Sequence, residues 1–141
     1  MDKEASGFNT KQTVAIVGLG LIGGSYARGL RRLGVDHIIA VDPDEKALQQ
    51  AKQEGMVDDI YTAGTEALKQ ADLVIFCTAA DVMIRFLAEN KAFFTPGTIL
   101  TDVAGIKGDT ATAIAALLPE GVDFVPGHPM AGREGRGYGM A

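Results

Sequence analysis

Five stretches of the chain carry residues able to do chemistry. Gly18-Leu19-Gly20-Leu21-Ile22-Gly23 has the spacing of a turn that cradles phosphates. Gly18 permits the tight turn, and Gly20 lets backbone approach a pyrophosphate with no Cβ in the way. Gly23 lets the following helix pack closely on the preceding strand. Leu21 and Ile22 open that helix, so its unpaired N–H groups and the positive end of its dipole face the same anion. Asp42 lies nineteen residues past Gly23, where a carboxylate would accept from ribose hydroxyls. Thr78-Ala79 and Asp102 fall at the ends of two further apolar runs. His128, in Gly127-His128-Pro129, is the one group among these stretches that exchanges protons near neutrality. A strand end followed by a rigid proline suits a general base. Position alone does not separate that role from a histidine hydrogen-bonded in a loop.

The elements that must position these residues alternate along the chain. Val14-Ala15-Ile16-Val17 reads as a buried strand of a parallel sheet, and a helix follows over Leu21 to Leu33, ended by Gly34. Arg28, Arg31 and Arg32 on that helix read as a solvated face. His37-Ile38-Ile39-Ala40-Val41 is a second strand whose opening histidine is structural. A helix over Glu45 to Glu54 follows, with Pro43 suited to its entry and Gly55 to its exit. Asp58 to Thr62 carries a weaker pattern, a short edge strand, and Thr65 to Ala71 one or two helical turns. Leu73-Val74-Ile75-Phe76-Cys77 is another buried strand, in which Cys77 reads as a small core residue rather than a nucleophile. Val82, Met83, Phe86 and Leu87 mark a helix, and Pro96-Gly97 turns the chain into a strand over Thr98 to Val103. A helix over Lys107 to Leu118 and a strand over Val122 to Pro126 complete the pattern. Residues 1–11 read as a loose tail and 12–141 as one domain. The alternation predicts an α/β fold: a doubly wound, mostly parallel sheet of about six strands with right-handed crossovers, a Rossmann-type dinucleotide-binding domain. In such a sheet the ligand lies beyond the carboxyl ends of the strands, where the strand order reverses.

Composition narrows the partners. The 141 residues carry a net charge of −5, which argues against nucleic acid or an anionic membrane. Hydrophobic residues make up 47%, enough for a globular core. A single cysteine excludes an internal disulfide and fits a reducing compartment. No apolar run reaches the length of a membrane span, and Met1-Asp2-Lys3-Glu4 does not open a signal peptide. A cytoplasmic protein is expected, with no metal site.

Four motifs in order, Gly18 to Ser25, Ala71-Asp72-Leu73-Val74-Ile75, Thr101-Asp102-Val103-Ala104-Gly105-Ile106-Lys107 and Gly127-His128-Pro129-Met130-Ala131-Gly132, carry a family resemblance. Together they resemble the N-terminal domain of prephenate and arogenate dehydrogenases, over nearly all of Thr13 to Gly132. The first two motifs are shared among nicotinamide enzymes; the last two together are specific. The resemblance implies NAD as cofactor and oxidative decarboxylation of prephenate to 4-hydroxyphenylpyruvate, a step of tyrosine biosynthesis. It implies cofactor contacts from Gly18, Gly20, Leu21, Ile22, Gly23, Asp42, Thr78, Ala79 and Asp102. His128 matches the family's catalytic histidine, which takes a proton or hydrogen bond from the substrate hydroxyl. Gly105 stands where family members often have a serine. Lys107, Arg133 and Arg136 are the cations near the expected substrate carboxylates, or solvated loop charges. The family also has a helical C-terminal domain that forms a homodimer and closes the cleft; the chain ends at Ala141 without it, so little turnover is expected from these 141 residues alone. The alternatives are an arogenate dehydrogenase, another hydroxyacid or imine dehydrogenase, and a non-catalytic NAD-binding module.

Overall fold

The structure, a computed structural model, describes residues 11–103 and 108–127. Apolar, largely β-branched runs form six strands: β1 (Thr13–Val17), β2 (His37–Val41), β3 (Asp59–Tyr61), β4 (Leu73–Phe76), β5 (Ile99–Asp102) and β6 (Asp123–Val125). They make one sheet in the order β3-β2-β1-β4-β5-β6, and every pairing is parallel. The mostly parallel sheet expected from the sequence is thus wholly parallel among the described residues. Order reverses between β1 and β4, which pair from Val14↔Leu73 to Val17↔Phe76.

The helices α1 (Leu21–Arg32), α2 (Glu45–Gln53), α3 (Ala80–Asn90) and α4 (Gly108–Leu117) cover both faces. Alternation along the strands sorts the core into two layers. Ala15, Val17, Ile39, Val41, Val74, Phe76 and Leu100 pack with Met83 and Leu87 of α3 and Ile114 of α4. Val14, Ile16, Ile38, Ala40 and Ile75 pack with Ala27 of α1 and Leu48 and Ala51 of α2. Short 3₁₀ turns at Glu66–Gln70 and Lys91–Phe93 join the elements.

Local chemistry sets the boundaries. Gly34 (φ +86°) and Gly55 (φ +77°) adopt the left-handed conformation that ends α1 and α2. At α1, Gly34 N–H donates to Arg31 and Val35 N–H to Leu30; at α2, Gly55 donates to Lys52 and Met56 to Ala51. Each pair closes the last carbonyls of its helix, with Val35 then buried in the core. The entry of α2 differs from expectation. Asp44, not Pro43, is the cap, its Oδ1 accepting from Lys46 N–H (3.1 Å) and Ala47 N–H (3.2 Å). The strand at Asp58–Thr62 shortens to three residues, and the other boundaries agree or shift by a single residue. The expected tail lies outside the described residues except for Lys11, as do residues 104–107 and 128–141.

The amino edge of the sheet is tied by one ion pair and by side-chain hydrogen bonds. Arg31 Nη2 donates to Asp58 Oδ2 at 2.9 Å, and Ile38 N–H donates to the same oxygen at 2.8 Å. His37, expected to be structural, sits on this edge with Nε2 2.6 Å from Asp59 Oδ2 and Nδ1 3.3 Å from Thr13 Oγ1. Partial burial raises the Asp58 pKa, but the Ile38 amide and the Arg31 guanidinium outweigh it and hold the carboxyl below its ordinary value. A depressed folded pKa adds stability that is present above the ordinary value of 3.8 and lost as pH falls through the lower folded one. Asp58→Asn should therefore lower the urea midpoint at neutral pH, with the deficit shrinking near pH 3. An equal deficit at both pH values would show that the charge is not the cause.

Candidate nucleotide-binding cleft

Beyond the carboxyl ends of the strands lies a cleft of about 510 Å³. It runs from Val17, Gly18, Gly20, Cys77 and Thr78, past Val41, Asp42 and Pro43, to Thr62–Gly64 and the exposed side of α3. Hydrogen bonds that continue the ladders past the strands fix these ends: Gly18 N–H to Val41, Asp42 N–H to Tyr61, Cys77 N–H to Val17 and Val103 N–H to Phe76.

The glycine turn is built as its spacing suggests. Gly18 has φ +95°, and a Cβ there would meet the Cys77 carbonyl oxygen at 2.7 Å. Gly23 is buried in α1, where a Cβ would collide with the Gly18 carbonyl oxygen. Gly20 caps α1 with no side-chain hydrogen bond, and the space a Cβ would enter is empty to 4 Å. The first turn of α1 carries no acidic residue, and Arg31 and Arg32 sit in its last turn. Uncapped donors therefore point from the helix end into open space beside Gly20, an arrangement that suits an anion. Leu21 is 89% exposed and Ile22 44%, so their backbone, not packing of their side chains, is what they give the edge.

Asp42 closes β2 within the cleft. Its Oδ2 accepts from Leu19 N–H at 2.7 Å and its Oδ1 from Asp44 N–H at 2.8 Å. One bond on each oxygen fixes the carboxylate plane and leaves further lone pairs for hydroxyl donors. Thr78 lines the cleft with its Oγ1 donating to the Ala79 carbonyl at 3.2 Å, and exposed Ala79 caps α3, again without a side-chain bond. Cys77 also lines it; burial pushes its thiol up to about 12, so it stays protonated at neutral pH, in line with the expected inert role.

Asp102 departs from the expected arrangement. It is 1% exposed, does not line the cleft, and accepts from Gly127 N–H at 3.2 Å. His128, Gly105, Lys107, Arg133 and Arg136 lie outside the described residues. Conversely, the far wall was missed: Thr62, Ala63 and Gly64 after β3, and Val82, Arg85, Phe86, Glu89 and Asn90 of α3. The signal was present in the period of α3, whose Met83 and Leu87 enter the core while Val82, Phe86 and Glu89 face the cleft. Phe86 is held edge-on to core Phe76, with ring centroids 5.8 Å apart. Among the described residues no cluster of three or more metal-ligating side chains occurs.

Comparison with known proteins follows the same lines. The family model for the nucleotide-binding domain of prephenate dehydrogenase matches residues 26–141. A prephenate dehydrogenase of Bacillus subtilis is 32% identical over 138 residues, 93% of this chain and 36% of that protein. The crystal structure of A. aeolicus prephenate dehydrogenase in complex with hydroxyphenyl propionate and NAD⁺ superposes with TM-score 0.76 at 28% identity, over 86% of this chain and 42% of that one. Synechocystis arogenate dehydrogenase gives TM-score 0.73 at 31% identity, over 83% and 40%. The chain thus spans about two fifths of the length of these relatives.

The two inner glycines should separate by substitution. Gly23→Ala forces a methyl onto backbone and should cost at least about 2 kcal/mol. Gly20→Ala meets nothing and should change stability by less than about 0.5 kcal/mol. Urea unfolding of both variants checks this, and equal losses would mean that the turn, not the helix contact, sets the requirement.

Proposed function

Because the chain belongs to the family of prephenate dehydrogenase nucleotide-binding domains, we propose that its cleft binds NAD and forms the cofactor half of a prephenate dehydrogenase site. The observation that carries this reading is the uncapped N-terminus of α1 opening beside Gly20, with the Asp42 carboxylate fixed at the end of the neighbouring strand. The residues fit the group: α1 donors for the pyrophosphate, Asp42 for the adenosine ribose hydroxyls, and Thr78 and Ala79 across the turn. When bound, the cofactor supplies a hydride acceptor.

In this reading His128 holds the proton of the chemistry. It accepts the hydrogen of the substrate hydroxyl, which pushes electron density onto the carbinol carbon as that carbon gives up its hydride. The bond from the ring to its carboxylate then breaks, its electron pair completes the aromatic ring, and carbon dioxide leaves. Lys107, Arg133 and Arg136 are the cations of this chain assigned to the substrate carboxylates, whose burial unpaired would be costly. A homodimer, arogenate as an alternative substrate, and a cytoplasmic setting belong to the same reading. The single free cysteine supports the last, and no helix among the described residues is long and apolar enough to cross a membrane.

Asp42 predicts preference for NAD(H) over NADP(H), since its charge would repel a 2′-phosphate. Arg85 on the opposite wall is a cation that the sequence reading did not place in the cleft. Calorimetric titration should show NADH binding at least ~10-fold tighter than NADPH, and Asp42→Asn with Pro43→Arg should erase the difference. Equal affinities in the unaltered chain would overturn the assignment of Asp42.

The role of His128 is tested in a complete enzyme carrying this domain. Turnover should rise with pH through about 6.5. His128→Asn should lower kcat by ~10²-fold or more and remove that rise, with NAD⁺ affinity within about twofold. Loss of NAD⁺ binding instead would make the histidine structural.

A further inference from the structure

Asp102 is the one buried carboxylate among the described residues, and the cleft does not use it. A carboxyl group hidden from water must be matched by hydrogen-bond partners fixed around it. Its place in the sheet explains what it does. β6 pairs with β5 through Ile99↔Asp123, Leu100↔Phe124 and Thr101↔Val125, and there the ladder stops. The next residue, Pro126, has no N–H to give. The amide after it, Gly127, donates to the Asp102 side chain at 3.2 Å. A carboxylate oxygen thus stands in for a strand carbonyl and carries the pairing past the proline.

A second, independent contact fixes the same point. A Cβ on Gly127 would overlap the Asp102 main-chain carbonyl oxygen and lie 3.2 Å from Thr101 Oγ1. Gly127 is therefore pressed against β5 by its backbone and tethered through its N–H. Asp102 is itself set against β4, where it pairs with Phe76. The next residue of the chain is His128.

We propose that Asp102 is a positioning residue: by holding Gly127 at the end of β6 it fixes the point from which the chain runs on to the His128 of the proposed site. This deepens the proposed function and rests on its reading of His128. It also replaces the direct cofactor contact expected of Asp102 with a structural one. The role requires an acceptor at this point. An amide oxygen can serve, while a methyl group cannot.

The test reads the Gly127 amide and the His128 ring by NMR in the 141-residue chain, beside NAD⁺ titration. In Asp102→Ala the Gly127 amide proton should move upfield and exchange about tenfold faster, and the ring signals of His128 should shift, with NAD⁺ affinity within about twofold. Asp102→Asn should restore most of both signals. A folded Asp102→Ala with unmoved Gly127 and His128 signals overturns the proposal, and so does a tenfold loss of NAD⁺ affinity. If Asp102→Ala does not fold, Gly127→Ala decides: it should shift the His128 ring signals at unchanged NAD⁺ affinity, and unmoved signals overturn the proposal. In a complete enzyme carrying this domain Asp102→Ala should lower kcat about 10-fold or more with the KM for NAD⁺ within about twofold, and Asp102→Asn should recover it. Unchanged kcat beside a crippling His128→Asn overturns the positioning role. If His128→Asn itself leaves turnover intact, the reading of His128 as base fails, while the NMR arm still judges the tether.

Discussion

The carboxyl edge of this sheet rests on one contact between two stretches of bare backbone, the α-carbon of Gly23 against the carbonyl of Gly18. No side chain intervenes, so α1 packs closely on the end of β1. Gly18 is in turn pressed on the Cys77 carbonyl at the end of β4. The helix is thereby located against both strands that flank the reversal of strand order. Its N-terminus has one position, and Leu19 N–H reaches Asp42 from there at 2.7 Å. A looser packing would move the donors and the carboxylate relative to each other.

Capping shows how the chain divides its helix ends between stability and binding. α2 begins with Asp44, whose carboxylate satisfies two of its amides. α1 and α3 begin with Gly20 and Ala79, which satisfy none. In place of a capping side chain Ala costs about 1 kcal/mol and Gly only roughly a few tenths, so the sacrifice of stability at this edge falls mainly on Ala79. The two uncapped ends leave donors free where the cleft lies, and the helix away from the glycine turn keeps its cap. Departures of this kind from local optimality mark functional positions.

Much of this was legible in the residues. Runs such as Ala15–Val17 and Ile38–Val41 are apolar on both faces, and only a sheet covered on both sides buries them all. The glycine spacing and Asp42 placed the cleft because the chemistry of a phosphate turn constrains backbone, and backbone constraint shows as glycine. The far wall was not legible in the same way. Thr62, Ala63 and Gly64 follow a three-residue strand, too short to give a period, and enter the cleft only because β3 lies beside β2. The surroundings of Asp102 were hidden for a related reason. A carboxylate at a strand end reads as a polar group reaching for a ligand, and only the pairing of β5 with β6 reveals that it is buried and turned to Gly127. What sequence left open depended on which strands are neighbours.

The lateral rims of the sheet, as opposed to its carboxyl edge, carry a consequence for self-association. Among the described residues the outer strands are β3 and β6, each three residues long and each opening with an aspartate, Asp59 and Asp123. A foreign strand docking on either rim would gain few backbone bonds and would bring its own chain against a carboxylate. Long flat apolar edges template aggregation, and the strands that could do so here, β1 and β4, are shut inside the sheet. Among the described residues the sheet therefore holds an open face to small anions while its two outer strands offer little to a foreign strand.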